Sequence, residues 1–280
     1  MKNLSVNKKL KNLLTEKQAL VACHRGAHGG NIIQNTAESC LAAYALGADI
    51  AEFDVVRSAD GEYYLFHDTE EPCSIGILNN LRNLTSEQID RIRLVNKYGC
   101  LTSQKIPKLS DVLKKIKGKG LINMDRCWGE DFSYTLGALE IIESEGMTDS
   151  VIVKSNFDEN FVEGLEKLGK DCLYMAIVSS VEQIERIEKF NVNLVGFELL
   201  FKEDDCELIS YIPKLLQKGY IVWVNSIVLN DTAILSGGHD DVGALLESKD
   251  KHWGWLLNNG FNVIQTDFPQ ALSNYIREKC

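Results

Sequence analysis

Two histidines and a closely spaced pair of acids are the residues of this 280-residue chain best suited to chemistry. In Glu52-Phe53-Asp54 the carboxylates stand at i and i+2, and on a β-strand such residues face the same side. Two like charges buried together cost several kcal/mol unless a proton or a cation neutralises them. Oxygen ligands in this pattern suit one divalent cation, Mg²⁺ or Ca²⁺; the alternative is one carboxylate inside and one capped by a backbone amide. His24-Arg25-Gly26 closes an apolar run. The Arg25 fork matches a phosphate. His67-Asp68 brings a second imidazole. Phosphodiester cleavage needs one group to take a proton from the attacking hydroxyl and another to protonate the leaving oxygen, and histidine does both near pH 7. Asp68 either holds the turn or orients its neighbour.

These residues need strands that end on one rim. Eight apolar runs qualify: 20–25, 49–56, 121–127, 151–155, 173–178, 194–199, 220–226 and 262–267. They are continuous rather than alternating, as in parallel strands buried on both faces. Helical patterns separate them, over 36–46, 110–117, 157–168, 181–190 and 206–218, with Pro269 opening a last helix. Asn35 is the expected cap of the first, with Glu38 three residues on. The pattern predicts an α/β fold, a TIM-type (β/α)₈ barrel, with an open doubly wound sheet as the alternative. Barrel sites lie at the C-terminal ends of the strands. Residues 57–108 are long for one connection and hold a turn at Asp60-Gly61 and a short strand over 62–67. They read as an insertion between the second and third barrel units, over the site. The whole of 1–280 reads as one domain.

Composition narrows the partners. The net charge of −10 argues against nucleic acid, but not against a small anion beside a bound cation. No apolar run reaches the roughly 20 residues that cross a bilayer, so no stable membrane insertion is expected. The basic, polar first residues lack the features of a secretory signal, and a cytoplasmic location is expected. None of the eight cysteines forms a C-x-x-C pair, so free thiols are expected rather than zinc or disulfides. The sequence carries no signal for oligomeric state.

Taken in order, His24-Arg25-Gly26, Asn35-Thr36, Gly47-Ala48-Asp49, Glu52-Phe53-Asp54, Asp60-Gly61 and His67-Asp68 resemble the glycerophosphodiester phosphodiesterase family. Ile106-Pro107-Lys108-Leu109, Trp223-Val224-Asn225 and Thr266-Asp267-Phe268-Pro269 resemble its later segments. The resemblance spans about residues 20 to 270. It implies hydrolysis of a small glycerophosphodiester to an alcohol and sn-glycerol 3-phosphate. It also implies that Glu52 and Asp54 bind metal, that His24 and His67 are the acid and base, and that Arg25 contacts phosphate.

The third strand departs from the family's Glu-x-Lys. Asp125 is the carboxylate available there and is assigned as third metal ligand; Cys127 stands where the lysine is expected. Arg126 has the charge but faces away by strand alternation. Lys154, in an apolar strand, needs an anion nearby, and is expected to take over the lysine's contact with phosphate or else to pair with Asp125 alone. Gln34 replaces the family's glutamate. Glu198 is assigned to substrate, with the waters of the metal as the alternative. Trp223 either packs on glycerol or fills the barrel mouth. His28, in the loop after the first strand, reads as a surface residue with contact to substrate as the alternative; His239 and His252 read as surface residues, and Glu203-Asp204-Asp205 as a solvated helix start. Two other functions stay open: a phospholipase D-like activity on lysophospholipid or sphingolipid, which would favour an apolar rim, and a non-catalytic barrel that binds a phosphorylated ligand.

Overall fold

A computed structural model describes residues 8–128, 132–169 and 172–279. Its strands in chain order are β1 Leu20–Cys23, β2 Ile50–Arg57, β3 Tyr63–Leu65, β4 Arg93–Val95, β5 Leu101–Lys105, β6 Leu121–Asp125, β7 Val151–Asn156, β8 Leu173–Val178, β9 Leu194–Leu199, β10 Ile221–Asn225 and β11 Val263–Thr266. Eight of them run parallel in the order β1-β11-β10-β9-β8-β7-β6-β2, and β2 pairs back to β1, which closes the barrel. All eight expected barrel strands are present within two residues at either end. The helices are α1 Lys8–Glu16, α2 Ala37–Ala45, α3 Glu71–Ser74, α4 Ser86–Ile89, α5 Leu109–Ile116, α6 Phe132–Ser144, α7 Glu159–Leu168, α8 Val181–Ile187, α9 Glu207–Gln217, α10 Asp241–Leu246, α11 Trp253–Asn258 and α12 Pro269–Lys279. Among the described residues no helix is long and apolar enough to cross a membrane.

Alternation sorts each strand into two faces. Val21, Cys23, Ala51, Phe53, Val55, Val151 and Val153 pack outward against the helices in one large core. Leu20, Ala22, Ile50, Leu121, Ile152, Ile221 and Val263 fill the barrel axis. Ile50, Glu52 and Asp54 share one face of β2, so both carboxylates stand above Ile50 inside the barrel. The same reasoning puts Asp125 above Leu121, and Lys154 above Ile152. α1 was not anticipated from its polar composition. Its Leu10 is buried in the axial cluster with Leu13 and Leu14 beside it, so this helix seals the barrel at its N-terminal end.

Two local features differ from expectation. The α2 cap is Thr36, whose hydroxyl accepts the Ser39 amide in a capping box, not Asn35. Asn35 instead adopts φ 56°, and its amide turns to Asp54. Gly26 must be glycine: its φ is +68°, and a Cβ would lie 2.5 Å from Ser39 backbone.

The segment 57–108 is more than a loop. β3 pairs antiparallel with β2, and β4 with β5. Val56, Tyr64, Phe66, Ile75, Leu81, Ile89, Leu94 and Ile106 form a separate apolar cluster beneath it. This cluster fixes the segment on the barrel rim near β2.

Because Leu10 is buried at the barrel floor, Leu10→Ala is expected to cost about 2–4 kcal/mol through lost contacts and the void left behind. The urea midpoint measures it; an unchanged midpoint would mean that α1 does not plug the barrel.

Candidate active site

The inward acids, Glu52 and Asp54 buried and Asp125 half-buried, meet at the C-terminal ends of β2 and β6. Register pairs Asp54 with Asp125 and Glu52 with Asn123. Burial and the charge of Asp54 push Glu52 up to about 8, against relief from His24 and with a further push from Asp125. Burial raises Asp125 to about 6, although Lys154 opposes it. Neutralisation is partial and comes from Arg25 and its turn. The Arg25 amide donates to Glu52 Oε2 at 2.7 Å, and its Nε lies 3.2 Å from Asp54 Oδ2. Asn35 clamps Asp54 twice: its Nδ2 donates to Oδ2 at 3.0 Å, and its Oδ1 accepts the Asp54 amide at 2.9 Å. Arg25 and Asn35 both sit at positive φ, a strained conformation for side-chain-bearing residues that clusters at functional sites.

The donor set fits a hard divalent cation in type, since all three acids offer oxygen and leave negative charge to be balanced. The barrel brings Glu52, Asp54 and Asp125 to one face, but does not close them into a ready cage. Among the described residues no three acidic, histidine or cysteine side chains are gathered to ligate one ion.

His24 follows β1 and points its Nδ1 at Asp267 Oδ1, 2.9 Å away. Burial would lower its pKa, but the bond to Asp267 and the charge of Glu52 outweigh it, and the net shift is upward. Asp267 stood in the sequence as part of a motif with no role; its signal was the position just after the last barrel strand. His67, just after β3, behaves oppositely. Burial lowers its pKa, and the nearby Arg25 and Arg126 add to this against Asp54 and Glu70. Its Nδ1 is buried without a hydrogen-bond partner, 3.9 Å from Glu70 Oε1. Both imidazoles feel Arg25, so barrel and insertion deliver them to one site.

Glu70 was not foreseen. Its Oε1 accepts Arg25 Nη1 at 2.5 Å, and its Oε2 accepts Gln34 Nε2 at 2.7 Å. Burial would raise its pKa, but Arg25 prevails and holds it below the usual carboxylate range. Asp68 neither caps the turn alone nor touches His67. It pairs with Arg126 Nε at 2.9 Å and Arg82 Nη2 at 3.3 Å, which ties the insertion to the end of β6. Strand alternation sent Arg126 away from the site, but a φ of 52° just past β6 turns it back toward the insertion.

Lys154, Glu198 and Trp223 form one buried group deeper in the barrel. Lys154 is fully buried; its Nζ lies 2.6 Å from Glu198 Oε2 and 3.5 Å from the centre of the Trp223 ring. Its ion-pair partner is therefore Glu198, not Asp125. Asp125 stands one step past the last paired residues of β6 and β7, Met124 and Val153, and feels the lysine only as a nearby charge. Trp223 is buried in the axial cluster and donates Nε1–H to Gln265 at 3.2 Å.

The remaining histidines divide. His28 is exposed, with Nδ1 on Gly26 O. His239 and His252 are not surface groups: their side chains are 13% and 15% exposed. His239 stacks on Trp255 at 3.9 Å and meets Asp204 through Nε2, because the loop after β10 folds over α11. Asp204 thus makes a contact where a solvated acidic run was expected. Cys23, Cys40, Cys73, Cys100, Cys127, Cys172 and Cys206 are free thiols, and Cys280 lies outside the described residues.

Comparison with known proteins agrees with the barrel fold. Residues 24–129 match the Glycerophosphoryl diester phosphodiesterase family, and residues 174–276 match a family described only as a domain of unknown function. No curated protein sequence matches the chain. A glycerophosphoryl diester phosphodiesterase from Parabacteroides distasonis superposes with TM-score 0.74 at 18% identity, over 96% of this chain and 92% of its own. The Thermotoga maritima glycerophosphodiester phosphodiesterase gives 0.66 at 20%, over 92% and 98%. An Oleispira antarctica phosphodiesterase, solved with its product sn-glycerol-3-phosphate, gives 0.69 at 18%, over 94% and 98%. At these identities the structural likeness establishes a shared fold.

The raised carboxyls set a pH dependence. The folded site holds protons on Asp125 and Glu52 that the unfolded chain gives up in the ordinary carboxyl range. Raising the pH through about 6 and about 8 therefore favours unfolding. Metal-free protein is expected to lose stability between pH 5 and 8, and Glu52→Gln to flatten that slope. Urea unfolding at each pH, with EDTA, measures both; parallel slopes for the two proteins would remove Glu52 from the account.

Proposed function

With residues 24–129 carrying the glycerophosphoryl diester phosphodiesterase family match as premise, we propose that this chain hydrolyses glycerophosphodiesters to an alcohol and sn-glycerol 3-phosphate by histidine acid–base catalysis. The observation that carries the reading is the placing of two imidazoles beside Arg25, His24 held through Nδ1 by Asp267 at 2.9 Å and His67 with its Nδ1 3.9 Å from the Glu70 carboxylate that Arg25 binds; their pKa values shift in opposite directions. Environments that push two titrating groups apart assign the acid and the base. His67, favouring its neutral form, takes the proton of the attacking hydroxyl. His24, favouring its charged form, gives one to the leaving alkoxide. Asp267 holds the Nδ1–H of His24 and leaves Nε2 to face the reaction. The P–O bond to the alcohol breaks as the new P–O bond forms; when water attacks, the two proton transfers leave a neutral alcohol and a phosphomonoester, and when the substrate's own glycerol hydroxyl attacks they leave the alcohol and a cyclic diester that water then opens to the phosphomonoester.

Arg25 binds the phosphate through its guanidinium, and the incoming anion replaces the Glu70 carboxylate at Nη1. Glu52, Asp54 and Asp125 would hold one Mg²⁺ or Ca²⁺, which when bound balances their charge and polarises the phosphoryl oxygens. Lys154 and Glu198 lie beneath this cluster, so their part is electrostatic support from below, with the lysine charge opposing that of Asp125. Trp223 sets the depth of the site by filling the axis.

A phospholipase D-like reading retains support from one observation. Val228, Leu229 and Ile234, in the loop after β10 on the C-terminal rim, are 39%, 54% and 49% exposed, and an acyl chain would cover such a surface.

Product analysis separates the readings. Purified protein is incubated with glycerophosphocholine or lysophosphatidylcholine, with Mg²⁺, Ca²⁺ or EDTA. Glycerol 3-phosphate release that EDTA abolishes is expected. Choline release from lysophosphatidylcholine with the acyl chain retained on the phosphate product would favour the second reading, and binding without turnover would leave a non-catalytic barrel. His24→Ala and His67→Ala are each expected to cut kcat by at least about 10²-fold, and near-wild-type rates would remove the residue from that role. The kcat/KM profile is expected to rise as His67 loses its proton and to fall as His24 loses its own. Lys154→Met strands Glu198 as an unpaired buried charge and is expected to cost about 3–5 kcal/mol. If kcat in the folded fraction is also unchanged, the lysine serves the fold alone.

A further inference from the structure

A second buried carboxylate, Asp241, lies behind Asp267, and no part of the reaction above uses it. It opens α10, and its side chain is 1% exposed. Trp253 Nε1–H donates to its Oδ1 at 3.0 Å, and Ser226 Oγ lies 2.6 Å from the same oxygen. Thr266 Oγ1 stands 2.9 Å from both oxygens, and the Asp267 amide donates to Oδ2 at 2.8 Å. One side chain thus joins the ends of β10 and β11 to α11.

The direction of these bonds matters. Thr266 Oγ1 accepts the Phe268 amide at 2.9 Å, so its own hydrogen is free to point at Asp241. Asp241 therefore fixes three consecutive residues, Thr266, Asp267 and Phe268, in one turn. That turn aims the Asp267 carboxylate, itself 36% exposed, at His24 Nδ1. The backbone supports the same alignment from the other side, since the His24 amide donates to Thr266 O at 3.1 Å. An apolar side chain would fill the place of Asp241 without the cost of burying a charge. Only an acceptor there holds the Asp267 amide and the Thr266 hydroxyl together.

We infer that Asp241 is a positioning residue of the acid–base pair, acting through the Thr266–Phe268 turn to hold Asp267 on His24 and so to fix which ring nitrogen of His24 carries the proton. The inference rests on the reading of His24 as an acid–base residue. Partners one shell out that set ring tautomer and orientation are typically worth about 10- to 100-fold.

The test is Asp241→Asn in the full chain, with two readouts. In ¹⁵N-histidine NMR, the neutral His24 ring, assigned by its loss in His24→Ala, is expected to show Nδ1–H in the parent and to lose that preference in the variant. With glycerophosphocholine, kcat is expected to fall about 10-fold or more while KM stays within about two-fold. If the variant does not fold at the assay temperature, Thr266→Val carries the same readouts, because it keeps the shape and removes the hydroxyl that joins Asp241 to the turn. An unchanged tautomer in folded variant overturns the inference, as does a loss of rate that only tracks the unfolded fraction. The tautomer is read without turnover. A parent that does not cleave the diester would therefore sink the phosphodiesterase reading and leave this measurement standing.

Discussion

Negative charge crowded into a closed barrel is the constraint around which the rest of the structure is arranged. Glu52 and Asp54 are buried and Asp125 is half-buried on the inward faces of two neighbouring strands, where little water reaches to disperse their fields. A parallel barrel has no spare backbone donors inside, because the ladders use them all. Relief must come from the turns at the strand ends. The Arg25 amide and guanidinium, the Asn35 amide and the Lys154 charge provide it, and what they leave unbalanced raises the pKa of Glu52 and of Asp125.

The constraint explains where the backbone departs from its preferred basins. Arg25, Asn35 and Arg126 all carry positive φ, and all three lie just past a strand end or just before a helix. Each such residue turns a donor toward a carboxylate that a relaxed conformation would leave behind. Energy stored in those turns is offset by the charges they satisfy, and packing on both sides keeps them in place. Gly26 belongs to the same device, since the α2 backbone passes too close to the turn for any side chain.

The barrel was legible because burial on both faces leaves continuous apolar runs, and eight such runs stand out in the sequence. The inward pairing of Glu52 and Asp54 followed from strand period alone. What stayed hidden depends on turns and on long-range approach. Glu70 and Asp267 look like ordinary loop acids until Arg25 and His24 arrive from elsewhere in the chain. Asp125, on the neighbouring strand, is the partner the sequence suggests for Lys154, and Glu198 takes it instead because the sequence does not say which way a lysine stem bends inside the barrel. α1 was missed because only Leu10, Leu13 and Leu14 are apolar among charged neighbours, and the surface they cover is the far end of the barrel. His239 looked solvated because the ring it stacks on, Trp255, sits sixteen residues away on another element.

The two imidazoles belong to different packing units. His24 stands on the strand framework, while His67 rides on the satellite cluster of Tyr64, Phe66 and Leu81, moored by β3 and by Asp68 with Arg126 and Arg82. Small clusters of this kind open at lower free energy than the main core. The pair of imidazoles is therefore only as durable as its weaker mooring: warming or mild denaturant would part the two rings while the staves remain intact.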